Sequence, residues 1–329
     1  LWKQLGNLFV RKQQSTDVLI SMSRVHIRKI LHTTLLVTGL SVVLWLAWTA
    51  RADVTRLVST IKPGWSVTAV LLGVALNVLQ GIVFSVLLRK HGTPGTAVAH
   101  IEAYLLSLVG KYLPGGIWAA VSQAAAIPAP RSLHAVLLVN LELTVINTLL
   151  LTGIGVACIP SLPLIGSGLV VCVTCLLLAI TLRQQTITIV LNMIAQRLPC
   201  LRISVPEKSA APPTWPSAVA FAIAMLTLCA ATSSAVILAS GQATLSAVPA
   251  MLALLCLGWT AGLIAIPVPA GIGVREASTL ALWAILPNSL ARGAVITVML
   301  LVRVWQLAVD LLSFGLALVI RAMVNPRRL

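Results

Sequence analysis

The chain has 329 residues, 59% hydrophobic and 9% charged, with a mean hydropathy of +1.02 and a formal net charge of +16. A soluble domain carries about 25% charged residues, which excludes that class, and no run of short alternating segments suggests a barrel. The positive charge is scattered over short flanks and loops, which points to membrane topology and anionic headgroups rather than to nucleic acid.

Residues 1–29 read as a basic cytoplasmic leader, with six Lys/Arg against Asp17. A first span is expected over 30–50 and a second over 65–88, ending at Arg89-Lys90-His91-Gly92. The next stretch differs. Residues 96–109 are too short to cross a bilayer, which takes about 20 residues. Gly110-Lys111 and then Pro114-Gly115-Gly116 break the helix, and 117–127 resume it. Two short helices around a break describe a re-entrant hairpin, whose non-helical backbone must be shielded by protein or line a wet cavity. Span three is expected over 132–159 and span four over 162–182. Residues 183–215 form a cytoplasmic connecting loop, with an amphipathic stretch over 187–201. Span five covers 217–240, and 245–286 make a second hairpin around Val268-Pro269-Ala270-Gly271-Ile272-Gly273. A last span over 291–319 leads to a basic tail, 321–329.

The expected fold is therefore an all-α polytopic membrane protein with about six full spans and two re-entrant helical hairpins, or about eight spans if the hairpins cross. A single membrane domain covers 30–320. Pro114, Gly116 and Ile117 have counterparts in Pro269, Gly271 and Ile272, each 155 residues further on. This echo suggests an inverted repeat with halves 65–159 and 217–320. With both termini inside, sixteen Lys/Arg lie inside and four outside, leaving Lys111, Arg275 and Arg303 at membrane depth. That is the positive-inside pattern. Inverted hairpins between spans are the general logic of many secondary transporters.

Charges at membrane depth are functional candidates by default. Glu142 lies about 15 Å into span three, near the middle of a ~30 Å core. It reads equally as a partner for a base or as part of a proton or cation path, and Glu102 invites the same pair of readings. Arg303 and Asp310 are seven residues apart, so they share a helix face about 10 Å apart and reach to other helices. Arg303 is expected to meet Glu142 or Glu276. Asn140 and Asn147 also share a face. Gly271 and Gly273 permit tight turns and close ligand approach. A helix restarting there aims free N–H groups at the break, and Arg275 beside it suits a phosphate. The plainer alternatives are that Arg275 pairs internally and Lys111 snorkels to an interface. The candidate substrate-binding residues are Lys111, Pro114, Gly115, Gly116, Gly271, Gly273, Arg275 and Arg303. The candidate coupling or charge-pairing residues are Glu102, Glu142, Glu276 and Asp310.

No catalytic grouping stands out. HExxH and Walker motifs are absent, the histidines are scattered, and Cys172 and Cys175 sit one turn apart in an apolar run rather than in a metal or redox setting. No enzyme activity, metal or cofactor is expected.

The stretch Gly110-Lys111-Tyr112-Leu113-Pro114-Gly115-Gly116-Ile117-Trp118 resembles the GKYxPGxxW signature of the lysylphosphatidylglycerol synthase membrane-region family, also called flippase-like proteins. Pro269 to Glu276 resembles its second signature, PGGxGxRE, with Ala270 where the family has glycine. The resemblance implies an integral, multi-pass protein of the bacterial or archaeal inner membrane. In the fused enzymes the related region translocates aminoacylated phosphatidylglycerol, which a separate soluble domain makes. Only nine residues follow Ile320, too few for such a synthase, so transport is expected rather than synthesis. Other relatives accompany glycosyltransferases. The expected function is a lipid flippase for an anionic phospholipid, an aminoacyl-phospholipid or a polyprenyl-phosphate-linked lipid. The alternative is a non-catalytic scaffold for a lipid synthase or glycosyltransferase. Anionic membrane lipids are the expected partners, with no nucleic acid.

The hairpins are tested by labelling single cysteines in a cysteine-free background. Residues 93 and 131 should label from inside and residues 244 and 288 from outside. Opposite-side labelling within either pair overturns that hairpin.

Overall fold

The computed structural model describes residues 48, 60–112, 118–127, 133–183, 213–241, 243–265, 271, 273–286 and 289–324. The leader, the first span, the 187–201 stretch and Pro114-Gly115-Gly116 lie outside the described residues. Nine α-helices and no strands occur among the described residues. They are α1 (Pro63–Lys90), α2 (Ala97–Ser107), α3 (Trp118–Ala126), α4 (Leu133–Ala157), α5 (Leu164–Arg183), α6 (Trp215–Ala239), α7 (Val248–Ile264), α8 (Val274–Ile285) and α9 (Arg292–Val324).

Local chemistry sets the boundaries. Pro63, Pro216 and Pro249 sit in first turns, where a missing N–H costs nothing. Thr96 caps α2 by accepting from the Ala99 N–H at 3.2 Å. After Ser107 the chain tightens into a 3-10 turn over Leu108–Tyr112, so Lys111 and Tyr112 stand at the first break.

Among the described residues, six helices are long and apolar enough to cross a membrane: α1, α4, α5, α6, α9 and α7 with its preceding turn, Leu245–Ile264. The protein is thus a multi-pass membrane protein. Helices α2, α3 and α8 have 11, 9 and 12 residues. At 1.5 Å per residue none covers a ~30 Å core. Three of the four hairpin legs are therefore short, as expected. The fourth, α7, has spanning length, because its apolar run extends back to Leu245.

Helices α1 and α6 form an extensive packed pair. The Lys62 N–H donates to the Ala239 carbonyl at 3.0 Å and the Thr60 hydroxyl to the Ser240 carbonyl at 3.1 Å, so α1 begins where α6 ends. At the other end, Lys90 Nζ donates to the Thr181 carbonyl at 3.4 Å. Nearby on α5, Arg183 covers the Trp215 ring at the start of α6, 4.7 Å from its centroid. The two helices run antiparallel. Around them, α2 packs on α1 and α9, and α7 packs on α4 and α8. The first leg of each hairpin thus rests on the closing helix of the other half. Helix α5 lies outermost, with Leu164, Ile165 and Leu169 strongly exposed, as suits a lipid-facing element.

Lipid is as apolar as leucine, so close packing rather than water exclusion holds such helices together. Glycines make this possible. A side chain begun at Gly73 of α1 would place its Cβ 2.7 Å from both Trp305 and Val309 of α9. Gly155 of α4 similarly admits Leu257 of α7.

The labelling positions need one change: Thr93 is buried, whereas Thr96 is exposed and offers the better cysteine site. We expect Gly73→Leu to lower thermal stability in detergent by ~1–3 kcal/mol through overpacking. Gly315→Ala on α9, where nothing stands within 4 Å, should leave it unchanged or higher.

Candidate anion site at the helix breaks

Helix α9 carries Arg303, Gln306 and Asp310 at spacings of three and four, hence on one face. Each takes a partner from a helix break. Arg303 donates from Nε to Glu276 Oε1 at 2.7 Å, and its Nη2 is ion-paired with the same oxygen at 2.6 Å. Asp310 Oδ2 accepts from Lys111 Nζ at 2.7 Å and from the Tyr112 hydroxyl at 2.6 Å. Gln306 Oε1 accepts a long contact, 3.5 Å, from Arg275 Nη1. The two breaks, 155 residues apart in sequence, thus meet on one helix.

The second break is shaped for Arg275. Gly271 and Gly273 have φ of 62° and 85°, in the left-handed region that favours glycine. A Cβ at Gly271 would lie 2.9 Å from Arg275 Nε, and one at Gly262 of α7 would run into the Arg275 stem. Between these glycines the guanidinium lies over the Trp259 ring, 4.6 Å from its centroid. Arg275 is 8% exposed, and its Nε has no hydrogen-bond partner among the described residues. Its neighbour Glu276 is committed elsewhere. One oxygen holds Arg303, and the other accepts from the Gly273 N–H at 2.8 Å, capping α8. That cap uses one of the free N–H groups that the sequence suggested would face the break, so the guanidinium is the main donor there.

Charge is unbalanced in this cluster. Lys111, Arg275 and Arg303 stand against Glu276 and Asp310, an excess of one positive charge among the described residues. The cavity beside Arg275, lined also by Glu276, Arg303 and Trp259, is about 10 Å³, room for about one water. The cavity is small, and one of its walls is the seam between α8 and α9, which touch far less than α8 and α7 do. The Glu276–Arg303 pair bridges that seam.

The other candidates fall elsewhere. Glu142 does not meet Arg303. It binds Lys90 Nζ at 2.9 Å and His91 Nε2 at 3.2 Å, all three buried. Lys90 and His91 are therefore interior groups rather than loop charges. Arg321 holds Glu102 at 2.8 Å at a more exposed rim. Neutral groups fasten the first hairpin. Asn140 donates to Gln123 at 2.6 Å and Gln123 to Ser107 at 2.9 Å. Tyr104 donates to Gln80 at 2.5 Å and Gln80 to Asn147 at 3.3 Å. Sequence reasoning missed Trp259, Gln306, Lys90 and His91 as site or pairing residues. Gln306 alone had a signal, three residues after Arg303 on the same face.

Six spanning-length helices and a charged cluster buried where two broken segments meet define a multi-pass membrane protein with an internal polar site. The chain belongs to the family described as lysylphosphatidylglycerol synthase TM region, which it matches over residues 34–313. That membership relates it to lipid handling. No curated protein and no solved structure matches the chain.

The Lys90–Glu142 pair, each side chain about 1% exposed, provides a stability test. Lys90→Met alone should cost ~3–5 kcal/mol by leaving a buried carboxylate short of its cation. Adding Glu142→Gln should restore much of this in a double-mutant cycle, read from thermal unfolding in detergent.

Proposed function

We propose that the protein moves an anionic lipid between leaflets, with the headgroup phosphate held at Arg275. The observation that carries this is a buried guanidinium with no carboxylate partner among the described residues, although a glutamate is its immediate neighbour. An arginine serving only structure would take that carboxylate. Here Arg303 takes it, and Arg275 keeps its charge without an ion pair. A phosphodiester carries about one negative charge, which would neutralise the cluster. The planar guanidinium offers two parallel donors to such a group.

Entry of a phosphate requires the α8–α9 seam to part. Glu276–Arg303 is the clasp across it, and Arg303 becomes a second donor to the phosphate once released. Lys111, tied to Asp310 beside Tyr112, lies on the other side of the same cluster, at the break of the first hairpin. The antiparallel α1–α6 pair and the exchanged hairpin contacts support two inverted halves that rock about this centre. We place the protein in the inner membrane with both termini cytoplasmic, on the charge bias of its loops. No bond is made or broken in this reading, so no catalytic residue is assigned.

The test is leaflet transfer of labelled phosphatidylglycerol and polyprenyl phosphate in proteoliposomes, paired with thermal stability. Arg275→Gln should fold normally and lose about tenfold or more in transfer, as expected for one charged hydrogen bond worth ~1.5–3 kcal/mol. Arg275→Lys should retain part of the activity, because charge survives but two-donor geometry does not. Full transfer by a stable Arg275→Gln protein overturns the assignment.

A further inference from the structure

The sequence contains seven carboxylates in all. Asp17, Asp53 and Glu207 fall in the stretches read as leader, first loop and connecting loop, outside the described residues. The other four each meet a base: Glu102 meets Arg321, Glu142 meets Lys90, Glu276 meets Arg303 and Asp310 meets Lys111. The break residues outside the description, 113–117, 266–270 and 272, carry no charged side chain, so they leave the cation surplus at Arg275 as it is. Lys111, Arg275 and Arg303 are near enough to repel one another and act as one cluster.

Such a cluster discriminates between headgroups that share a phosphate. Phosphatidylglycerol and polyprenyl phosphate are net anionic. Phosphatidylethanolamine and aminoacyl-phosphatidylglycerol carry ammonium groups that cancel or outweigh the phosphate charge. A buried ammonium needs a carboxylate or an aromatic face. In this cluster those groups are committed. Glu276 holds Arg303 and the Gly273 N–H, Asp310 holds Lys111 and Tyr112, and Trp259 faces Arg275. A headgroup ammonium therefore meets three cations, and like charge at close quarters is a strong means of rejection.

One neutral side chain maintains the surplus. Gln306 stands on α9 between Arg303 and Asp310, with its amide oxygen 3.5 Å from Arg275 Nη1. A glutamate there would have nearly the same shape and would bring the cluster to three cations and three carboxylates. We infer that Gln306 is a specificity-determining residue. By staying neutral beside Arg275, it reserves the surplus charge for a net-anionic headgroup and excludes lipids that bear an ammonium. The inference rests on the headgroup reading at Arg275 and narrows it. It takes the aminoacyl-phospholipid out of the classes that the family resemblance suggests.

The test is leaflet transfer by the full chain in phosphatidylcholine vesicles, with labelled probes assayed separately. The anionic probes are phosphatidylglycerol and polyprenyl phosphate. The amine-bearing probes are phosphatidylethanolamine and lysyl-phosphatidylglycerol. The wild-type protein should transfer an anionic probe about tenfold or more faster than either amine-bearing probe. The faster anionic probe shows whether the substrate is a glycerolipid or a polyprenyl lipid. Gln306→Glu should slow that probe about tenfold and bring its rate within about threefold of the amine-bearing probes. Gln306→Met, neutral and of similar length, should keep the wild-type ratio. Each ratio is taken within one preparation, so loss of folded protein lowers all rates together and does not mimic the effect. Amine-bearing probes that move as fast as the anionic ones in the wild type overturn the inference. If Arg275→Gln still abolishes transfer in that case, the headgroup site stands without selectivity; if transfer persists, the headgroup site falls as well. A wild-type ratio preserved in Gln306→Glu overturns the role of Gln306. Transfer of no probe overturns the proposed function and this inference with it.

Discussion

A charge placed among apolar helices is costly unless a partner meets it, and the penalty is several kcal/mol per ion. The whole arrangement of the two helix breaks depends on this constraint. Neither break could hold its charged residues at depth alone. Lys111 needs Asp310, and Glu276 needs Arg303. Both partners lie on one face of α9, so that helix sets the distance between breaks that are far apart in sequence.

The protein contains two buried charged clusters that obey the constraint differently. At Lys90 and Glu142 one cation meets one carboxylate, His91 takes the other carboxylate oxygen, and α1 is fastened to α4. Such a cluster is complete as it stands. At Arg275 the match is incomplete: among the described residues the site has one cation more than it has carboxylates, an aromatic face in place of an ion pair, and a lightly packed seam beside it. That incomplete compensation is the observation on which the proposed headgroup role rests.

Much of the fold was legible in the sequence because lipid imposes a simple rule of length. The expected spans over 132–159, 162–182 and 217–240 match α4, α5 and α6 to within about two residues. Prolines and glycines mark the breaks. The shared face of Arg303 and Asp310 follows from helical spacing, and Glu276 was one of two partners weighed for Arg303. The rest was hidden for physical reasons. Lys90 and His91 end a helix, where basic residues ordinarily mark topology, and their carboxylate lies 51 or more residues away. Trp259 sits in a helix apolar on all sides, so no periodicity distinguishes its inner face. Helix α7 has spanning length although it belongs to a hairpin-like unit, because hydropathy measures solubility in lipid rather than path.

The position of α9 in the chain also bears on how the protein is made. Synthesis runs from the N-terminus, so Lys111, Arg275 and Glu276 leave the ribosome before any residue of α9 does. Helix α8, twelve residues long with two ionisable groups, is a poor candidate for residence in lipid by itself. It must wait beside α7, where Gly258 and Gly262 let it lie close. Only when α9 enters do both waiting segments find partners, Asp310 for Lys111 and Arg303 for Glu276. Assembly of the charged centre is therefore a late step in biogenesis, and a nascent chain halted before Arg303 would present unpaired charge in the bilayer.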